Sequence, residues 1–227
     1  MTSVKTRVFL LAFGGVLVLF DVFLWLRGQY RLAIPLLAFC LTLPALIVFE
    51  WRRSGARELA AIAVMTGISV VGRVLFAPLP GFKPVSAVVI LTGLSFGPLA
   101  GFMTGAATAL LSNFFFGQGP WTAFQMLAWG AVGFLSGLFA RSRLRRNPLL
   151  LLLLGVIGGA LFSALTDLWT TVAATGTLLP AAYLTFLVSG LPFTLLYAVS
   201  NVLFLLLLTR PILRKTDRLK QKYGLFA

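Results

Sequence analysis

A chain of 227 residues that is 59% hydrophobic and only 11% charged, with a mean hydropathy of +1.00, cannot hide its apolar surface inside one water-soluble core. Its net charge of +14 would suit nucleic acid, yet Lys and Arg retained on the cytoplasmic face of a membrane give the same excess, so their positions decide. One cysteine, Cys40, excludes an internal disulfide, and the absence of histidine removes the usual general base, the His–Cys zinc sets and the Ser–His pair.

A helix that crosses a bilayer needs roughly 20 apolar residues. The first such run covers residues 7–26, with Asp21 near its far end. It imitates a signal peptide, but no A-x-A-like cleavage site follows, and a retained anchor is expected. Further runs cover residues 32–49, 57–76, 84–96, 99–116, 122–140, 149–173 and 182–209. The expected fold is an all-α integral membrane protein of about eight transmembrane helices.

The charges test this layout. With the N-terminus inside, Lys5, Arg7, Arg52, Arg53, Arg57, Arg141, Arg143, Arg145 and Arg146 fall on the cytoplasmic side. Arg210, Arg214, Lys215, Arg218, Lys220 and Lys222 join them, making 15 of the 19 basic residues. Arg27, Arg31 and Lys83 lie outside, and Arg73 lies within a helix. The asymmetry fits a multi-pass protein of the cell membrane with both termini cytoplasmic. It accounts for the basic excess without nucleic acid. The stretch RPILRKTDRLKQKYGL reads as a solvated tail drawn to anionic lipid, or as a helix that docks a partner.

Small residues recur every four positions. Gly97, Gly101, Gly105 and Ala109 make one strip, Gly133 and Gly137 a second, and Gly155, Gly158 and Gly159 a third. Such strips let helices approach closely, and here ordinary packing within one bundle is expected. Ala56, Ala60, Ala63 and Gly67 form another strip beside the basic loop. Spacing alone leaves an intramolecular neighbour and a separate protein equally open.

Charges in hydrocarbon need a cavity, a partner or a short reach to water. Arg73 and Asp167 map to the same outer leaflet and are candidates to pair. On that side also fall Lys83 in APLPGFKP, and Asn113, Gln118 and Gln125 around the stretch NFFFGQGPW. Trp121, Trp129, Trp169 and Tyr183 add aromatic surface. A hollow lined by aromatics with a few amides and charges is the usual form of a small-molecule site. The amides of NFFFGQGPW are therefore expected in a cavity open to the outside, with the phenylalanines as walls. Asp21 receives no role.

No G-x-x-x-x-G-K-[ST], H-E-x-x-H or CxxC is present, and the five acidic residues are dispersed. No catalytic constellation, cofactor or metal site is expected. A stand-alone secondary carrier or channel for a small heterocycle is one reading, in which Asp167 is the candidate for coupling to an ion gradient.

The stretches ARELAAIAVMTGISVVGR, PLPGFKPVSAVVILTGLSFGPLAGFMTGA and NFFFGQGPWTAFQMLAWGAVGFLSGL together resemble the substrate-binding S component of an energy-coupling factor (ECF) transporter. The likeness covers the last three-quarters of the chain. It implies a six-helix core over residues 54–210, a two-helix N-terminal addition over 1–53 and a basic tail over 211–227. It also implies capture of a vitamin or related micronutrient from outside. The partners would be a transmembrane coupling subunit and two cytoplasmic ATPases, which would drive import. The strip at Ala56, Ala60 and Ala63 matches the family's docking face for the coupling subunit. The pattern GQGPWTAFQMLAWG is most similar to cobalamin-type members, although riboflavin, queuosine precursors or another heterocycle would use the same groups.

Overall fold

The structure, a computed structural model, describes residues 4–51 and 55–226, with side chains from residue 8. The expectations for Arg52 and Arg53, and for the side chains of Lys5 and Arg7, lie outside the described residues. Among the described residues, nine α-helices follow in order: α1 (Val4–Leu26), α2 (Tyr30–Trp51), α3 (Ala56–Leu75), α4 (Val85–Phe96), α5 (Pro98–Phe116), α6 (Trp121–Gly137), α7 (Pro148–Thr175), α8 (Pro180–Ser189) and α9 (Leu191–Tyr223). A 3₁₀ turn, Arg143–Arg146, precedes α7. There is no strand among the described residues. Six helices are long and apolar enough to cross a bilayer: α1, α2, α3, α5, α7 and α9. The protein is an all-α integral membrane protein.

The centre of the bundle is α4. All twelve of its residues are buried. At about 1.5 Å per residue it is far shorter than the ~30 Å hydrocarbon layer. Neighbouring elements complete its ends. At one end the loop 76–84 turns inward, and the Ser200 hydroxyl both accepts from the Lys83 N–H (2.9 Å) and donates to the Lys83 carbonyl (3.1 Å). At the other, Lys220 Nζ donates to the Ser95 carbonyl at 2.9 Å, satisfying a group that the helix end leaves open. Gly97, at φ +96°, turns the chain sharply into α5, where Pro98 fits the first helical turn.

Glycines set the helix spacing, as the sequence strips suggest. A Cβ on Gly101 or Gly133 would collide with the other's backbone, and one on Gly105 would strike the backbone of Trp129 and Gly130. Gly155 and Gly159 admit Val202 and Ala198 of α9 in the same manner. This strip packing locks α5 to α6 and α7 to α9 around α4.

Two expectations change. The run 182–209 is two helices, because Pro192 lacks an N–H and its ring would clash with the carbonyl one turn back, breaking the path at Gly190. The basic tail is helical through Tyr223 and packs on the bundle. Phe226 packs tilted against Phe96 at 4.8 Å, its N–H donates to Glu58, and Arg57 lies over Tyr223. These contacts and the Asp217 bridges from Arg145 and Arg146 define an arginine-rich end of the bundle. The opposite end carries loops 76–84 and 117–120. In the N-terminal pair, α1 packs on α2, while Ile34 and Ala38 of α2 meet Phe124 and Val172 of α6 and α7.

Candidate functional site

A cavity of about 230 Å³ opens between the loop 76–84 and α3, α4, α6, α7 and α9. Four expected residues line it: Arg73, Lys83, Gln125 and Trp129. Arg73 sits in the last turn of α3 and is 8% exposed. Its Nη1 donates to Ser112 Oγ and, at 2.8 Å, to Asn113 Oδ1. Asn113 is the hub behind the wall. Its Nδ2 donates to Thr122 Oγ1 at 2.9 Å and to Gln125 Oε1 at 2.8 Å. One buried amide thus fixes a cation on α3 and an amide on α6.

Among the described residues no carboxylate pairs with Arg73. The expected pair with Asp167 is not formed. Neutral oxygens and two aromatic faces hold the guanidinium instead: Phe116 at 4.7 Å and Trp129 at 5.0 Å from ring centroids. Lys83 Nζ also lies over Phe116, at 5.3 Å. Burial, and next the neighbouring Arg73 cation, hold the Lys83 pKa below its ordinary 10.5. The described lining therefore carries two cations and no anion. It presents surplus donors to whatever enters.

The other wall is aromatic. Trp129 and Phe162 stack at 4.7 Å, and Phe162 meets Tyr197 edge-on at 5.4 Å. Trp129 Nε1 donates to Ser86 Oγ at 3.3 Å, which fixes the indole plane. Gly81, at φ +72°, brings the loop against Leu196 and Tyr197, where a Cβ would not fit. Ser86, Phe162, Thr166, Tyr197 and Asn201 also line the cavity, and the sequence reading does not single them out. The signal for two of them is present: Asn201 is a lone amide in an apolar run, and Tyr197 lies one turn before it on the same face.

The remaining expected residues lie elsewhere. Gln118 ties the 117–120 turn, donating to the Leu110 carbonyl at 2.8 Å and accepting from Thr122 at 3.0 Å. Trp121 folds over Gly119 and is 37% exposed. Asp167 accepts from Ser163 Oγ at 3.4 Å, and Tyr183 donates to the Ala164 carbonyl at 3.0 Å, fastening α8 to α7. Of the three phenylalanines of NFFFGQGPW, Phe116 faces the site cations, whereas Phe114 and Phe115 are 72% and 70% exposed. In a bilayer those two face lipid.

Ala56, Ala60, Ala63 and Gly67 are all exposed along α3. A Cβ at Gly67 would meet nothing within 4 Å. Ala60 lines a groove with Leu219 and Tyr223 of α9, while Gly67 faces open space, in contrast to the tightly packed glycines of α5 and α7.

The sequence model of the family described as "ECF-type riboflavin transporter, S component" matches residues 54–216. Neither curated proteins nor solved structures give a match. The matched stretch begins just before α3 and runs through most of α9, so it spans every element that lines the cavity. The family is one of transporter subunits that bind a vitamin, not one of enzymes. With a buried, donor-rich cavity inside a multi-pass helical bundle, the chain belongs to the S-component family of ECF-type transporters.

Proposed function

We propose that this protein captures a flat, acceptor-rich heterocyclic vitamin, with riboflavin the best fit, and presents it for ATP-driven import. The supporting observation is the lining itself: two cations without a carboxylate, set beside the ordered Trp129–Phe162–Tyr197 aromatic wall. An isoalloxazine ring is planar, so it stacks on such a wall. Its carbonyl oxygens accept from Arg73, Lys83 and Gln125. The family description names riboflavin for its members, which agrees with this chemistry. Asn113 acts behind the lining as a positioning residue.

Cobalamin draws less support. At about 230 Å³ the cavity is below the ~300–1,000 Å³ usual for ligand sites, so either vitamin must widen it, and a corrinoid, much larger than a flavin, by far the more. A corrinoid would have to force the loop 76–84 well away from α6 and α7.

The cavity end faces outward in this reading and the arginine-rich end faces the cytoplasm. Residues 54–210 form the working core, with 1–53 an addition to it. The exposed strip of Ala56, Ala60, Ala63 and Gly67 docks the coupling subunit, which carries two ATPases. Gln118, Trp121, Asp167 and Tyr183 shape the surrounding elements rather than touch ligand in the closed cavity.

Mass spectrometry of the small molecule that co-purifies with the detergent-solubilised protein tests this. A flavin, lost on Arg73→Ala, is the expected result. A corrinoid would overturn the riboflavin assignment. Ligand uptake by proteoliposomes lacking every ATPase, dependent on Asp167, would replace the S-component mechanism with a secondary carrier.

A further inference from the structure

A second cavity, of about 670 Å³, lies at the arginine-rich end between the start of α7 and the middle of α9. Its upper rim holds Arg146, Arg210 and Arg214; its lower wall holds Leu151 and Leu206. Arg210 and Arg214 are four residues apart, so they share one face of α9 and repel each other. Among the described residues, the ion pairs of this region are those of Arg145 and Arg146 with the same oxygen of Asp217, at 2.9 and 2.6 Å. Asp217 is the sole acidic residue after Asp167 in the sequence, and two arginines already share it. Among the described residues, Arg210 and Arg214 therefore have no ion-pair partner. The N-terminus of α7, at Pro148 on the same rim, adds partial positive charge.

Depth gives the ligand its second feature. On both helices the charge stops and a leucine run begins within a turn: Arg146 precedes Leu149–Leu154 on α7, and Arg210 follows Leu205–Leu208 on α9. The cavity straddles that boundary. It offers cations at headgroup level and apolar walls immediately below, where an acyl chain would run. Leu206 is 53% exposed on that wall.

We propose that Arg146, Arg210 and Arg214 hold a phosphate group, and that the leucine wall assigns it to the headgroup of an anionic phospholipid in the leaflet of the arginine-rich end. The lipid bridges α7 to α9 and neutralises the repulsion along α9.

The test uses the full-length protein purified in zwitterionic detergent. Short-chain phosphatidylglycerol, short-chain phosphatidylcholine and inorganic phosphate are added separately, and binding is read by native mass spectrometry and thermal unfolding. Phosphatidylglycerol should bind and raise the unfolding midpoint; phosphatidylcholine and phosphate should not. Arg210→Gln with Arg214→Gln should weaken phosphatidylglycerol by about tenfold or more. Lys215→Gln with Arg218→Gln, which removes equal charge off the cavity, should leave it bound. Equal weakening in both pairs would reduce the effect to diffuse surface charge and overturn the site. Stabilisation by inorganic phosphate to the same extent would assign a soluble anion and overturn the lipid. Normal phosphatidylglycerol binding by Arg210→Gln/Arg214→Gln, with loss of coupling-subunit co-purification, would make the cavity a protein contact and likewise overturn it.

Discussion

Asn113 receives one bond from Arg73 and gives one each to Thr122 and Gln125, all within a buried layer. Asn113→Leu keeps the volume and removes all three. A hydrogen bond to a charged group is worth about 1.5–3 kcal/mol, and the buried guanidinium cannot replace its acceptor from lipid. Thermal unfolding in detergent should show a loss of that order, with ligand affinity reduced as well because Gln125 is released. Unchanged stability would mean that Arg73 does not rely on Asn113. Lys83 gives a pH signature. Its folded pKa lies below 10.5, so in the window between the two values the unfolded chain holds a proton the folded one has released. Stability from this group therefore rises with pH across the window, while affinity for an acceptor-rich ligand falls because the charged form binds it. In Lys83→Arg the decline in affinity should disappear, as titration at alkaline pH will show. Polar residues near turns are readable from the sequence as members of the site, since a charge or amide in an apolar run stands out. Ser86 and Phe162 are not, because a hydroxyl or an aromatic inside a helix is common, and only the three-dimensional approach of α4 and α7 to Trp129 gives them a role.

At the scale of elements, small residues have two distinct fates that spacing cannot separate. Gly101 abuts the Gly133 backbone, whereas Gly67 faces open space. Gly101→Leu should force α5 from α6 and cost at least about 1–3 kcal/mol. Gly67→Ala should leave stability unchanged or slightly improved, since Ala is the better helix former. Denaturation of the two variants side by side checks the contrast; equal damage would contradict the packing described. Ala60→Trp should keep ligand binding and abolish ATP-dependent uptake, because a bulky ring on the exposed strip blocks close approach of a partner helix. Uptake at the original rate would remove the strip from the docking surface. The long apolar runs are legible because lipid demands them, but the break at Gly190 is not. Hydropathy is the same on either side of it, and only Pro192 marks the place. The helical tail escapes a sequence reading for a related reason: its charges suggest solvation, and its packing rests on Phe226, Tyr223 and Lys220 meeting α3 and α4 across more than a hundred residues of sequence.

For the molecule as a whole, a buried donor-rich cavity at one end and a cationic surface at the other give it a direction. Membrane-impermeant labelling of single cysteines in a Cys40→Ser background should reach Lys83→Cys from outside intact cells, and Arg218→Cys only after permeabilisation. The expected direction comes from the charge asymmetry of the sequence, whereas the cavity's size is not legible there, because volume depends on how closely α4, α6 and α9 pack. The central claim is that the isolated protein binds a flat heterocycle in the cavity lined by Arg73, Lys83 and the Trp129–Phe162–Tyr197 wall. Titrating riboflavin into the purified full-length protein, with flavin fluorescence as the readout, tests it most directly. Saturable quenching at one site per chain is expected, abolished by Arg73→Ala and weakened by Trp129→Leu. Quenching that persists undiminished in both variants, or none in the unaltered protein, would contradict it.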